Sequence, residues 1–315
     1  MTTAGTDYLA DMRACAEAID LNPPSYHLPQ DCWAELNGVN FHYLDWGNDH
    51  LPHLILLHGG SLTTHTWDMA ALMLRDRYHV VALDQRGHGD TGWTPDDQLD
   101  RDNGELMAED THAFIEHISY DRITLCGMSM GGMNALRYAA LHPEHLDALV
   151  IVDIAPVTMS AGIIEMEQFR QDTETMSQFE DFLNRAVHFN PQRKTDHLKY
   201  SLLHSLKQID EGWTWKQDHR RRQLPNGMTE EQQKAARQAH TESLWTEVKA
   251  IKTPTLLLKG EISKVLSQEA ATAMAEAMTD CTLEVIEGAG HSVQGDQPAA
   301  FAATLDAFLI QRLTG

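Results

Sequence analysis

Short apolar runs alternate with helix-period segments along most of this chain. Leu54–Leu57, Val80–Leu83, Ile123–Cys126 and Ala148–Val152 are strand-sized, and nearly every residue in them is apolar. A strand with one wet face alternates, whereas one buried on both faces reads as a continuous apolar run. Between these runs Met107, Phe114, Ile115 and Ile118 recur at helical spacing, and Met130–Leu141 reads as a further helix. The alternation predicts an α/β fold, a mostly parallel sheet with helices on both faces. Ahead of it, Trp33–Leu36 and Phe41–Leu44 flank Asn37-Gly38, a short-range hairpin signal.

The pattern stops at Pro156 and resumes with strands at Thr255–Leu258 and Leu283–Ile286 and helices at Glu269–Met278 and Pro298–Leu313. Residues 157–250 carry helical patterns and no convincing buried strand. Tyr8–Ile19 predicts a short amphipathic helix, stopped by Asn22-Pro23-Pro24. The expected organisation is an N-terminal appendage (1–31), a core (32–156 and 251–315) and an inserted helical cap (157–250).

Composition narrows the partners. No apolar run approaches the ~18 residues of a membrane span, and residues 1–10 lack the basic and apolar regions of a secretory signal. A cytoplasmic protein is the expectation. The 46 acidic residues against 24 basic ones give a net charge of −22, which repels nucleic acid and anionic membranes and leaves a small molecule as the expected partner. The four cysteines form no CxxC pair and the 18 histidines no HExxH, so no metal and no cofactor are expected. Oligomeric state has no signal in the sequence.

Three motifs carry chemistry. Gly127-Met128-Ser129-Met130-Gly131 follows a predicted strand and opens a predicted helix, the context in which G-x-S-x-G lifts a serine hydroxyl on a tight turn. His58-Gly59-Gly60-Ser61 follows another strand. Its Gly60 N–H, with Ser61 as second choice, pairs with the Met130 N–H as a candidate oxyanion hole. Gly288-Ala289-Gly290-His291 follows the last strand and places His291 as a candidate general base.

The order Ser129, acid, His291 resembles the α/β-hydrolase family over residues 32–315, and Asp84–Asp90 resembles its loop after strand four. The resemblance implies an eight-stranded sheet, a lid after strand six and a Ser–His–acid triad. The family usually carries its acid after strand seven, where this chain reads Gly260-Glu261-Ile262-Ser263-Lys264 and offers Ser263 at the expected place. A subset carries it after strand six, where Asp153 stands. Asp153 is therefore the expected acid and Glu261 the alternative.

The expected activity is cofactor-free hydrolysis of a small carboxylic ester or lactone through an acyl-enzyme. One alternative is C–C or amide hydrolysis of small unsaturated acids, of the meta-cleavage-product or acylated-enamide type. An alternative of another class is a non-catalytic small-ligand receptor on the same fold. Ser61, Met128, Trp213 and Trp215 are candidate pocket residues, and Arg220-Arg221-Arg222 reads as a solvated turn or a carboxylate site.

Overall fold

A computed structural model describes residues 7–172, 174–220 and 229–313. In chain order it holds α1 (Tyr8–Ala18), β1 (Gln30–Leu36), β2 (Val39–Asp45), β3 (His53–Leu57), α2 (Asp68–Leu74), β4 (His79–Leu83), α3 (Asn103–Ile118), β5 (Ile123–Met128), α4 (Met130–Leu141) and β6 (Leu146–Val152). The inserted region follows: α5 (Ser160–Asp172), β7 (Thr175–Met176), α6 (Phe179–Phe189), α7 (Thr195–Ser205), β8 (Leu206–Ile209), β9 (Gly212–Trp215) and α8 (Glu230–Ala250). The chain closes with β10 (Thr255–Gly260), α9 (Gln268–Ala277), β11 (Cys281–Ile286), α10 (Val293–Asp296) and α11 (Pro298–Leu313).

One eight-stranded sheet runs in the order β1-β2-β4-β3-β5-β6-β10-β11. The pairs of β2 with β1 and β4 are antiparallel and all others parallel. Successive residues of the central strands face opposite layers, as a period of two demands. Leu54, Leu56, Val80, Val150 and Leu256 pack with Trp67 and Phe301 on one face. Ile55, Leu57, Val81, Leu149 and Leu257 pack with Phe114, Leu136 and Met274 on the other.

Two regions differ from the expectation. The segment expected as an appendage packs into the protein: α1 lies on α7, and Met12, Cys15 and Ala16 are fully buried in the core. The inserted region is not wholly helical, because β7, β9 and β8 form a small antiparallel sheet. Strands of two to four residues are too short to show a period in sequence. This sheet, α6 and α7 share a separate apolar core of Phe182, Ala186, Leu198, Leu202, Leu206 and Trp215. Helix α8 packs instead on α4 and α9, and delivers Val248 to the sheet-face core.

Candidate active site

The β5–α4 turn presents Ser129. Its φ of 51° and ψ of −115° lie outside the regions open to most L-residues. The flanking glycines make the turn possible. A Cβ on Gly127 would lie 2.2 Å from the Gly131 carbonyl oxygen, and one on Gly131 would lie 2.3 Å from that of Leu57. The bend stays seated on the sheet through Ser129 N–H to Val152 O (3.0 Å) and Gly131 N–H to His58 O (3.1 Å).

The β3 exit loop lies alongside. An added Cβ on Gly60 would meet Met130 Sδ at 3.9 Å, and Gly60, Ser129 and Met130 line the same cavity. The Met130 N–H stands in the first turn of α4, where helix geometry leaves donors unpaired and the dipole end is positive. His58 is wholly buried and burial lowers its pKa, so its ring is neutral. Its Nδ1–H donates to Gly59 O (2.7 Å), and its Nε2 accepts the Gln85 N–H (3.0 Å). The Gln85 amide donates back to His58 O, and Asn134 donates to Gln85 Oε1. His58 therefore braces the loop.

His291 Nδ1 lies 2.8 Å from Asp153 Oδ2. The Asp153 carboxylate is fully buried and accepts the Gly260 N–H on Oδ1 (2.8 Å) and the Ser263 hydroxyl on Oδ2. Gly260 must lack a side chain for this, since a Cβ there would collide with Gly290 O at 2.0 Å. Ser263, which stands where the family usually carries an acid, thus binds the carboxylate donated from β6. Its oxygen also accepts the N–H groups of Val265 and Leu266. Glu261, the alternative acid, is exposed and caps Gly288 N–H (2.9 Å). It does not contact His291.

Ser129 and His291 line one cavity of about 380 Å³ with Ser61, Met128, Phe169, Phe189 and Trp215. No hydrogen bond joins Ser129 to His291 in this conformation; such contacts are often long until substrate is bound. Trp213, also expected in the pocket, is a correction. It shares the face of β9 with Trp215, but two residues along a strand is ~7 Å, and it packs on Phe179. Arg220 is not a pocket cation. It pairs with Asp218 and Asp96, donates to Thr94 O and lies over Trp93. Arg221 and Arg222 lie outside the described residues.

Sequence reading missed the cavity's cations and the tie between the inserted region and the core. Arg170 Nη1 donates to Ser61 Oγ (2.7 Å), whose hydroxyl donates to Gln217 Oε1 (2.7 Å). The Gln217 amide nitrogen donates to His88 Nε2 (3.1 Å), and His88 Nδ1–H donates to Arg86 O (3.0 Å). Burial pulls the His88 pKa to about 3, so the ring stays neutral and every role in this relay has one direction. Backbone bonds from Gly89 to Lys216 and from Asp218 to Gly87 run beside it. Arg170 and Arg193 line the cavity, and Arg193 also pairs with Asp296 (2.6 Å). Arg170 stands on α5, where an inward helical face was the only signal, and Arg193 lies in the turn between α6 and α7, where the sequence carries none.

A serine on a strained strand-to-helix bend, an imidazole backed by a buried carboxylate and a parallel sheet beneath both is a recurrent arrangement. The profile of the family described as alpha/beta hydrolase fold matches residues 52–298. This chain belongs to that family. The α/β-hydrolase relatives include the esterase Rv0045c of Mycobacterium tuberculosis, 27% identical over 304 residues, which are 94% of this chain and 93% of that protein. Its solved structure superposes with a TM-score of 0.74 at 25% identity, covering 97% and 99% of the two chains. The 2-hydroxy-6-oxo-6-(2'-aminophenyl)hexa-2,4-dienoic acid hydrolase of Metapseudomonas resinovorans is 25% identical over 291 residues, 87% of this chain and 89% of that protein. No described helix is long and apolar enough to cross a membrane.

Proposed function

We propose that this α/β hydrolase cleaves a small carboxylic ester through an acyl-enzyme on Ser129. The observation that carries the reading is the 2.8 Å contact of His291 Nδ1 with the buried Asp153 carboxylate, His291 lining the cavity that Ser129 also lines. An ionised carboxylate only accepts, so Asp153 holds the proton on Nδ1 and leaves Nε2 as the base. Ser129 Oγ attacks the ester carbonyl while His291 Nε2 takes its proton. The Gly60 and Met130 N–H groups hold the oxyanion, and His291 returns the proton to the departing alkoxide. Water then adds to the acyl carbon with His291 again as base, and the C–Oγ bond breaks as His291 returns the proton to Oγ, releasing the acid. The segment from Pro156 to Arg220 serves as the cap, and its Phe169, Phe189 and Trp215 form an apolar acyl wall.

The activity named for the M. tuberculosis relative supports ester chemistry. A second reading, hydrolysis of small unsaturated acids, is favoured by Arg170 and Arg193 on the cavity wall and by the dienoic acid hydrolase relative. A fluorophosphonate probe and a panel of p-nitrophenyl esters, lactones and dienoic acids test both. Covalent labelling that Ser129→Ala abolishes, with fastest turnover on short acyl esters, supports the first reading. An unlabelled native protein refutes both and leaves the non-catalytic receptor. Preference for the dienoic acids transfers the assignment to the second.

A further inference from the structure

A second polar cluster lies away from Ser129, where α1, α7 and the 3-10 turn Thr64–Trp67 ahead of α2 meet. Asp68 is wholly buried at its centre. Its Oδ2 accepts from Tyr8 Oη (3.1 Å), His65 Nδ1 (2.9 Å) and Tyr200 Oη. Its Oδ1 is equally buried and has no partner. No lysine or arginine among the described residues pairs with this carboxylate. His204 of α7 stacks on His65 with ring centroids 3.7 Å apart. One ligand atom each from His65, Asp68 and His204 lies within 4.8 Å of the others.

A buried carboxylate oxygen with no hydrogen bond, on a group with no lysine or arginine partner among the described residues, calls for an explanation, and a bound ion is one of the few available. The remaining donors decide which ion. Two imidazoles and one carboxylate suit Zn²⁺, Ni²⁺ or Co²⁺, whereas Mg²⁺ and Ca²⁺ take all-oxygen shells. Tetrahedral ligands at ~2.0–2.1 Å from zinc stand roughly 3.3 Å apart, so ligand atoms that lie within 4.8 Å of one another need to close by about 1.5 Å at most. The nearby cation Lys216 is already paired with Asp90 at 2.8 Å.

We propose that His65, Asp68 and His204 form a divalent transition-metal site with a fourth position for water or a tyrosine oxygen. Its ligands come from the core (His65, Asp68) and from α7 of the inserted region (His204). Helix α7 also contributes Leu198, Ser201 and Leu202 to the cavity wall, so a metal here ties that wall to the loop that follows Gly60. The absence of HExxH in the sequence does not bear on this site, because His204 lies more than 130 residues from His65 and Asp68.

The test is titration of metal-stripped full-length protein with Zn²⁺ by calorimetry and with Co²⁺ by visible absorption. The expected result is one tight equivalent with tetrahedral Co²⁺ bands, unaffected by excess Mg²⁺. His204→Ala and His65→Ala, each shown folded by circular dichroism, should weaken binding at least tenfold and lose the bands. His291→Ala and His142→Ala should keep both. The absence of a stoichiometric site in the native protein, full affinity in His204→Ala, or loss in His291→Ala or His142→Ala would each overturn the assignment. Loss in His291→Ala would move the metal to the active site, and loss in His142→Ala to the half-buried histidines where His142 stacks on His112 (ring centroids 4.1 Å apart) beside His145.

Discussion

Replacing Asp153 by Asn removes one charge and changes almost no volume, so it isolates what the carboxylate does. The backbone tolerates it: φ at this position is 53°, and Asn enters the left-handed region as readily as Asp. The surrounding donors fix how the amide sits. Gly260 N–H is rigid backbone and points at Oδ1, so the amide oxygen must stay there. The amide nitrogen then takes the Oδ2 place, facing His291 Nδ1 and the Ser263 oxygen. An NH₂ group donates, so His291 must accept on Nδ1 and carry its proton on Nε2. That tautomer cannot take the Ser129 proton. The equivalent change in the chymotrypsin triad lowers kcat about 10⁴-fold, roughly 5 kcal/mol of barrier, and the same order is expected here. Glu261→Gln, which alters an exposed cap on Gly288, should change kcat by about twofold or less, as surface changes away from such features do. Steady-state turnover of a p-nitrophenyl ester by both variants, with thermal melts to show that each is folded, provides the measurement. A folded Asp153→Asn enzyme within tenfold of native turnover, or equal losses in the two variants, would refute the argument.

Further outcomes follow from other contacts. Ser263→Ala removes one donor to the Asp153 carboxylate, a charge-assisted bond worth ~1.5–3 kcal/mol; kcat should fall about tenfold while KM holds, and an unchanged kcat would show the bond to be idle. Arg170→Ala should lower kcat/KM at least tenfold for esters bearing a carboxylate and leave neutral esters within about twofold, an expected split for loss of one charged hydrogen bond; equal effects on both would deny Arg170 a role in charge selection. His42 supplies a pH dependence. Burial alone would lower its pKa, but hydrogen bonds to Asp31 and Asp84 carry it to about 9. Its folded pKa lies above the unfolded value of ~6.5, so its stabilisation, on the order of 3 kcal/mol, is complete below pH ~6.5 and is lost as pH rises through about 9. Urea midpoints between pH 6 and 10 should fall in the native protein and flatten in His42→Gln; parallel curves would exclude His42 as the cause.

The chain's own pattern determined the sheet, the serine bend, the histidine turn and which of two carboxylates stands beside His291. Each of those is a local event. A strand buried on both faces must be apolar throughout, a backbone that passes 2.2 Å from where a Cβ would stand must be glycine, and a missing acid after one strand directs attention to the end of its neighbour. Tertiary structure alone decided the rest. The three-stranded sheet of the inserted region uses strands too short to carry a period. Trp215 lines the cavity and Trp213 does not, because of distance along one strand. Ser61 meets Gln217 across 156 residues of sequence, and Tyr8 and Tyr200 meet Asp68 from the two sides. A hydrogen bond needs its partners within ~3 Å in space and leaves no trace in spacing when a long stretch of chain lies between them. For that reason the cap's tie to the core, and the burial of the helix expected as an appendage, became visible only once the chain was folded.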